Sequence, residues 1–175
     1  VYLGLYGSYG VAWFLKDLAF PDRNWQRRVT WGGGAAAFLL GLAPYWVLPW
    51  LLVSGRGHPP TEASLVACAI GIHTIGLFLM VAADAQKTFV LRGRAGLITD
   101  GMFRFVRHPN YLGEMMIYGS YALLVGHWAA WAILLGIWTV EFVPNMLAKE
   151  ASLSRYPEWA AYRSRTGALL PRLGR

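Results

Sequence analysis

Long apolar segments with few charges are the feature that most constrains how this chain can fold. Residues 31–53 and 63–83 each supply roughly the 20 apolar residues that an α-helix needs to cross a bilayer. Charged residues make up only 14% of the chain, against roughly 25% in an average soluble domain. Two further apolar runs, 111–125 and 127–146, are divided by Gly126 and its neighbours and predict a tight helical hairpin.

We therefore predict an all-α integral membrane fold with about three spanning helices, a C-terminal helical hairpin and a polar tail. The apolar segment 1–15 is interpreted as the remnant of a spanning helix, since it lacks the basic leader and cleavage site of a signal peptide. Residues 1–83 would form the N-terminal membrane part, whose beginning we expect to be incomplete. Residues 84–175 would carry the polar groups. Whether the hairpin over 111–147 spans the bilayer or re-enters stays open.

Lysine and arginine are distributed unevenly among the polar segments. Four fall in residues 16–30, one in 54–62, five in 84–110 and six in 148–175. Because cytoplasmic loops carry an excess of these residues, the first loop, the third loop and the tail are predicted to be cytoplasmic. The hairpin must then return to the side where it starts, which brings the third loop and the tail to one face. This distribution accounts for the net charge of +7, and we expect no nucleic-acid partner.

The sequence argues against a metal centre and against the common nucleotide-binding motifs. A single cysteine, Cys68, excludes a CxxC pair, and the four histidines form no HExxH motif. We therefore predict no metal site. No GxGxxG or P-loop pattern is present, so any nucleotide would be held in another way.

Residues 107–114, with the sequence RHPNYLGE, form the densest polar motif. This octad places a guanidinium, an imidazole, an amide, a phenol and a carboxylate at the mouth of an apolar helix. His108 could donate a proton near neutral pH. Glu114 would be costly in the membrane without a partner, and Arg107 or Lys87 could supply one. The alternative, that such arginines only snorkel to headgroups, is weaker here because a proline fixes a turn directly after His108.

The chemistry of these segments suggests the ligands that a shared pocket would bind. Arginine and lysine with few acids suit phosphates, since arginine presents a planar fork of donors. Tyrosine and tryptophan could hold an aromatic ring such as adenine or nicotinamide. Apolar walls would admit a lipidic substrate from the bilayer. The many tryptophans suit either an interfacial aromatic belt or contacts with protein partners in a membrane complex.

The octad resembles the signature of a membrane superfamily that includes isoprenylcysteine carboxyl methyltransferases, phospholipid N-methyltransferases, sterol C14 reductases and steroid 5-alpha-reductase C-terminal domains. The resemblance covers about residues 82–171 and extends to three further segments, which are 83–87 (ADAQK), 99–103 (TDGMF) and 156–162 (YPEWAAY). It implies a cofactor site on the cytoplasmic side and a lipidic substrate.

Two features favour the reductase-like branch of this superfamily. Its members tend to carry an acid-x-Gln-Lys stretch, which reads Asp84 to Lys87 here, and an amide and an acid around the signature. The methyltransferase branch often has two adjacent glutamates after the hairpin, where this chain has Lys149 and Glu150. A third class also stays open, in which the chain is a non-catalytic subunit of a larger membrane complex.

The resemblance also implies roles for particular residues. In a reductase, NADPH would be bound by Lys87, Arg107, His108, Asn110 and Tyr111, with Tyr162 and Arg163 assisting. A hydride would pass to an activated double bond of a lipid, and Tyr111, Glu114 or His108 would provide the proton. In a methyltransferase, S-adenosylmethionine would occupy the same pocket and contact His108, Tyr111 and Glu150.

Overall fold

A computed structural model describes residues 1–21 and 28–172, and these residues form helices and loops without a β-strand. The helices are α1 (Tyr2–Ala19), α2 (Trp31–Val53), α3 (Ala63–Gly93), α4 (Pro109–Val125), α5 (Trp128–Leu153) and α6 (Trp159–Arg165). Of these, α2, α3 and α5 are long and apolar enough to cross a membrane. The predicted all-α integral membrane class is confirmed. Residues 22–27, in the first predicted basic loop, and 173–175 lie outside the described residues.

Two helices run further than the apolar pattern predicted. α3 continues past residue 83 to Gly93, so Lys87 lies on a helix and not in a loop. α5 continues past residue 146 to Leu153, which places Glu150 on its last turn. Alanine, glutamine, lysine and glutamate are good helix formers, so these helices extend beyond their apolar parts. Hydropathy alone therefore predicts where the apolar part of each helix ends, but not where the helix itself ends.

The predicted hairpin is formed by α4 and α5. Gly126 ends α4 with φ +63°, a left-handed conformation that favours glycine. At the start of α5, Nδ1 of His127 accepts a hydrogen bond of 3.1 Å from the backbone N–H of Ala129. α4 has 17 residues, so at 1.5 Å per residue it is about 26 Å long, shorter than a typical hydrocarbon core of about 30 Å. The two arms of the hairpin therefore differ in length.

Backbone contact between two glycines joins α3 to α4. A Cβ atom on Gly76 would lie 2.7 Å from the carbonyl oxygen of Gly113, and one on Gly113 would lie 2.5 Å from that of Gly76. Small residues of this kind let membrane helices approach closely. Because Gly113 belongs to the octad, this crossing holds the octad against the helix that carries Lys87.

Polar side chains attach α1 to α3 and α4. Lys16 Nζ donates to Asp84 Oδ2, and both side chains are largely buried. Ser8 Oγ lies 3.3 Å from Nε2 of His73 in the middle of α3. The Tyr121 hydroxyl of α4 donates to a backbone carbonyl of α1 over 3.3 Å. In lipid, where helices gain no hydrophobic attraction for one another, such polar contacts help to hold them together.

Two of the spanning helices contain a π turn followed by a proline. In α2 the π turn is Ala37–Leu42 and Pro44 follows it, while in α5 it is Trp138–Phe142 and Pro144 follows it. A proline lacks the N–H that would bond four residues back, so the regular ladder is interrupted at both places. In α2 the interruption at Pro44 thus coincides with a change of helix type.

We predict that Gly76→Ala lowers the free energy of unfolding by about 1–3 kcal/mol, because the new methyl group overlaps the α4 backbone. Gly71→Ala is the matched control, since a Cβ atom at Gly71 of the same helix meets nothing within 4 Å. Thermal unfolding of the detergent-purified protein measures both. Equal midpoints for the two variants would contradict the close crossing.

Candidate functional site

The octad and the C-terminal tail are joined by backbone hydrogen bonds. The N–H of Arg107 donates to the carbonyl of Gly167 over 2.9 Å, and the N–H of His108 donates to that of Ala168 over 3.0 Å. These bonds accompany a parallel bridge between Val106 and Gly167. The third polar segment and the tail, which are far apart in sequence, therefore meet directly at the start of α4.

The Arg107 side chain reinforces this junction. Its Nε donates to Glu150 Oε1 over 2.7 Å, and its Nη1 donates to the carbonyls of Thr166 and Arg163. The guanidinium also lies 5.9 Å from the centre of the Trp159 ring. Only 9% of the residue is exposed. Arg107 thus ties the octad to α5 and α6, a use of its several donors that a lysine could not reproduce.

His108 shares the carboxylate of Glu150 with Arg107. Its Nε2 lies 3.3 Å from Glu150 Oε1, and the residue is only 3% exposed. Burial lowers the pKa of the His108 imidazole below its usual value, although the nearby Glu150 carboxylate acts in the opposite direction. The ring is therefore neutral near pH 7. Because an ionised carboxylate only accepts hydrogen bonds, the ring proton resides on Nε2 and leaves Nδ1 as an acceptor.

The two tail residues predicted to assist differ in their environment. Tyr162 is buried on α6, and its hydroxyl donates to the Phe103 carbonyl over 2.8 Å. Burial raises the pKa of the Tyr162 phenol to about 12, against the opposing charge of Arg107. Arg163 has a side chain that is 61% exposed, with Nε 3.8 Å from Glu150 Oε2. Tyr162 therefore stabilises the site from a buried position, while Arg163 lies at the exposed surface near Glu150.

Gln86 holds the loop between α3 and the octad against α3. Its Oε1 accepts from the N–H of Met102 over 2.8 Å, and its Nε2 donates to the carbonyl of Asp100 over 3.0 Å. Between them Gly101 has φ +55°, and a Cβ atom there would lie 2.6 Å from the Gln86 amide. Residues 96–98 and 103 of this loop form one wall of a cavity.

The cavity has a volume of about 210 Å³ and opens between α3, the octad, α5 and α6. Five of the predicted site residues line it, which are Lys87, Arg107, His108, Asn110 and Tyr162. Its other lining residues are Leu91, Gly96, Leu97, Ile98, Phe103, Lys149, Ser152 and Leu153. None of these described lining residues is acidic. The cavity therefore offers three cationic side chains together with amide, hydroxyl and imidazole groups.

Tyr111 lies beside the cavity without being part of its lining. The Lys149 ammonium lies 4.4 Å from the centre of the Tyr111 ring, a cation–π geometry. The Tyr111 ring also packs edge-on against Phe142 at 5.0 Å and lies 5.9 Å from the His108 ring. Its position connects the polar cavity to the membrane-embedded part of α5.

Glu114 lies one turn further into the membrane and does not line the cavity. The expected pairing with Arg107 is not formed, because that guanidinium binds Glu150. The charges that act on Glu114 are instead those of Lys16, Asp84 and Lys149. The first two come from the ion pair between α1 and α3, so α1 contributes to the electrostatics next to the site.

Sequence reasoning assigned no cofactor-binding role to several groups that form the cavity. Lys149 and Ser152 lie three residues apart on α5, on the face that carries them into the cavity. Their spacing would have indicated this only if the helix had been extended to Leu153. Residues 96–98 carry no polar side chain, so nothing in their sequence marks them as part of a site.

We predict that Arg107→Ala speeds amide hydrogen exchange in residues 166–168 roughly 10-fold or more, because hydrogen bonds to a charged group contribute about 1.5–3 kcal/mol. Arg163→Ala is the control, since it removes only an exposed contact of 3.8 Å to the same carboxylate. Hydrogen exchange measured by mass spectrometry compares the two. Equal protection in both variants would show that Arg107 does not hold the tail.

His108 makes stability depend on pH in a defined direction. Its folded-state pKa is lowered, so the unfolded chain binds more protons below about pH 6.5 and stability falls as the pH falls. We expect the thermal midpoint of the wild-type protein to drop more between pH 7 and pH 5 than that of His108→Gln. A parallel fall in both proteins would exclude a neutral, buried His108.

Comparisons with known proteins extend the resemblance. The chain is 31% identical over 106 residues to the uncharacterized protein C7D4.09c of Schizosaccharomyces pombe. This alignment covers 57% of this chain and 38% of that protein. It is 33% identical over 87 residues to the Delta(14)-sterol reductase LBR of Gallus gallus. This alignment covers 40% of this chain and 14% of the reductase. The chain thus aligns with less than two fifths of either relative.

No solved structure is significantly similar to this chain. A further relative in Schizosaccharomyces pombe, the uncharacterized protein C594.04c, is 31% identical over 87 residues, which is 45% of this chain and 24% of that protein. The family described as "Protein of unknown function (DUF1295)" matches residues 39–166, from within α2 to the end of α6. Because this match covers more than half of the chain, the chain belongs to that family.

Proposed function

We propose that this chain is a membrane-embedded enzyme that uses NADPH to reduce a carbon–carbon double bond of a lipid. The observation that carries the proposal is the cavity at the start of α4, whose described lining has Lys87, Lys149 and the Glu150-bound Arg107 but no acid. Such a donor set suits the phosphates of a dinucleotide. The similarity of 87 residues to part of a Delta(14)-sterol reductase supports the reductase class.

The size of the cavity limits which part of the cofactor it would hold. Its volume of about 210 Å³ is below the roughly 300–1,000 Å³ of pockets that enclose whole small ligands. It would therefore take one phosphate-bearing part of NADPH, with Lys87 and Lys149 opposite the phosphates and Asn110 as a neutral donor. The aromatic rings of Phe103 and Tyr162 in the lining offer faces for a planar ring.

Bound NADPH would supply a hydride, and residues of this chain would provide for binding and the proton. His108 is neutral and holds its Nε2 proton towards Glu150, so its role would be binding and orientation. Tyr111 and Glu114 are then the candidates for donating the proton to the other carbon of the double bond. Both lie on α4 between the cavity and the membrane interior, where a lipid chain would reach them.

The charge of the cavity also bears on its location and on the alternative cofactor. The positive-inside distribution would place the cavity and the tail in the cytoplasm. S-adenosylmethionine carries a sulfonium cation and no phosphate, so a basic cavity would attract it less than NADPH. The carboxylate expected to contact it, Glu150, is occupied by Arg107 and His108. These observations favour NADPH.

Calorimetric titration of the detergent-purified protein with NADPH and with S-adenosylmethionine tests the proposal. We expect NADPH to bind more tightly, and Lys87→Gln and Lys149→Gln each to weaken it roughly 10-fold or more, because each removes a charge-assisted contact to phosphate. Higher salt should weaken wild-type binding more than that of either variant.

Arg92→Gln is the matched control for these lysine variants. Arg92 lies on the last turn of α3 against Phe89 and outside the cavity lining, so its loss should leave NADPH affinity unchanged. Preference for S-adenosylmethionine would overturn the reductase class while retaining the cavity. Binding of neither ligand by a folded sample would favour a non-catalytic subunit.

A further inference from the structure

A second polar site lies within the membrane-spanning part of the chain. Glu141 belongs to the π turn Trp138–Phe142 of α5. At 1.5 Å per residue, it lies about 20 Å from Trp128 and about 8 Å from Met146, where the apolar part of the helix ends. A carboxylate inside the apolar part of a span is costly, and such groups in membrane proteins mark functional sites by default.

The Glu141 carboxylate faces another helix. Its Oε1 lies 2.9 Å from the position that a Cβ atom of Gly41 would occupy, so the missing side chain of Gly41 makes room for it. Gly41 itself belongs to the π turn Ala37–Leu42 of α2. No cation of the described residues forms an ion pair with Glu141. Two π turns, which often occur at functional sites, thus meet at this carboxylate.

The same π turn of α5 carries an unsatisfied donor. Nε1 of Trp138 is buried and has no hydrogen-bond partner in the described part of the chain. The Trp138 side chain packs against the core cluster that includes Tyr45. A buried donor without an acceptor is rare in proteins and calls for a physical explanation.

We propose that Trp138 and Glu141 bind the hydroxyl group of a lipid alcohol that enters between α2 and α5. A hydroxyl group can donate its hydrogen to a carboxylate and accept an indole N–H at its oxygen, so it combines the two partners that these residues lack. A ketone would leave Glu141 without a donor, and an organic cation would leave the indole N–H without an acceptor. The exposed side chains of Leu40 and Val140 provide an apolar edge at this level.

This site is separate from the basic cavity, although the two are connected. Lys149 of the cavity lies eight residues after Glu141, which corresponds to about 12 Å along α5. Phe142, next to Glu141, contacts the Tyr111 ring beside the cavity at 5.0 Å. Binding of a lipid alcohol here does not depend on which cofactor, if any, the cavity holds.

Photolabelling of the detergent-purified chain tests this site. The probes are octadecanol carrying a diazirine and its methyl ether, which keeps the oxygen acceptor but cannot donate to Glu141. We expect half-saturation by the alcohol at a concentration roughly 10-fold or more below that of the ether, as for a hydrogen bond to a charged group. Glu141→Leu should abolish this preference, and Trp138→Phe should weaken binding of both probes.

Two glycine variants serve as a matched pair in the same experiment. Gly41→Leu fills the space beside Glu141 and should reduce labelling by the alcohol, whereas Gly136→Ala should not, since a Cβ atom there meets nothing within 4 Å. NADPH titration of each variant reports on the cavity separately. Failure of NADPH to bind would therefore leave the lipid result unaffected.

Equal labelling by alcohol and ether, or an unchanged preference in Glu141→Leu, would overturn the proposal. Higher thermal stability of Glu141→Leu with unchanged labelling would also overturn it and identify Glu141 as a contact between helices only. Should Glu141→Leu not fold, Glu141→Met keeps a side chain of similar length without a strong hydrogen-bond acceptor. A wild-type preference for the alcohol in that variant would also contradict the site.

Discussion

The contact between Gly76 and Gly113 is the constraint on which the rest of the structure depends. Where two backbones touch, neither helix can slide or rotate without a clash, so the position of α4 against α3 is determined. Lys87 lies three turns beyond Gly76 on α3, and the octad ends one residue after Gly113. The distance between the octad and Lys87 therefore follows from a contact that carries no polar chemistry of its own.

The basic cavity depends further on one buried carboxylate. Glu150 accepts hydrogen bonds from Arg107 and His108 and lies near Arg163, so a single acid from α5 compensates cations from the octad and from α6. The cost of burying Arg107 is offset because its donors also reach tail carbonyls. Because Glu150 lies behind the wall, the described lining of the cavity contains cationic side chains and no carboxylate.

The sequence predicted the parts of this structure that rest on composition and local pattern. The apolar core of α2 and α3, the hairpin at Gly126 and the polar octad were all predicted from residues close together in the chain. Pairings between residues that are distant in the chain were not predicted. The partner of Arg107 is Glu150 and not the nearby Glu114, because the choice depends on the length of the hairpin and the rotation of α5. The ion pair that joins α1 to α3 was missed for the same reason.

Some polar groups in the membrane part of this chain are paired with each other, whereas others have no partner among the described residues. This difference bears on function. Lys16 and Asp84 satisfy each other, as Ser8 and His73 can, so helix association explains them without a ligand. Glu141 has no cationic partner among the described residues, and the Trp138 donor has no acceptor there. Helix association would be stronger with both groups paired or with both replaced by apolar side chains. Their joint occurrence on one π turn is therefore better explained by a bound molecule that completes them.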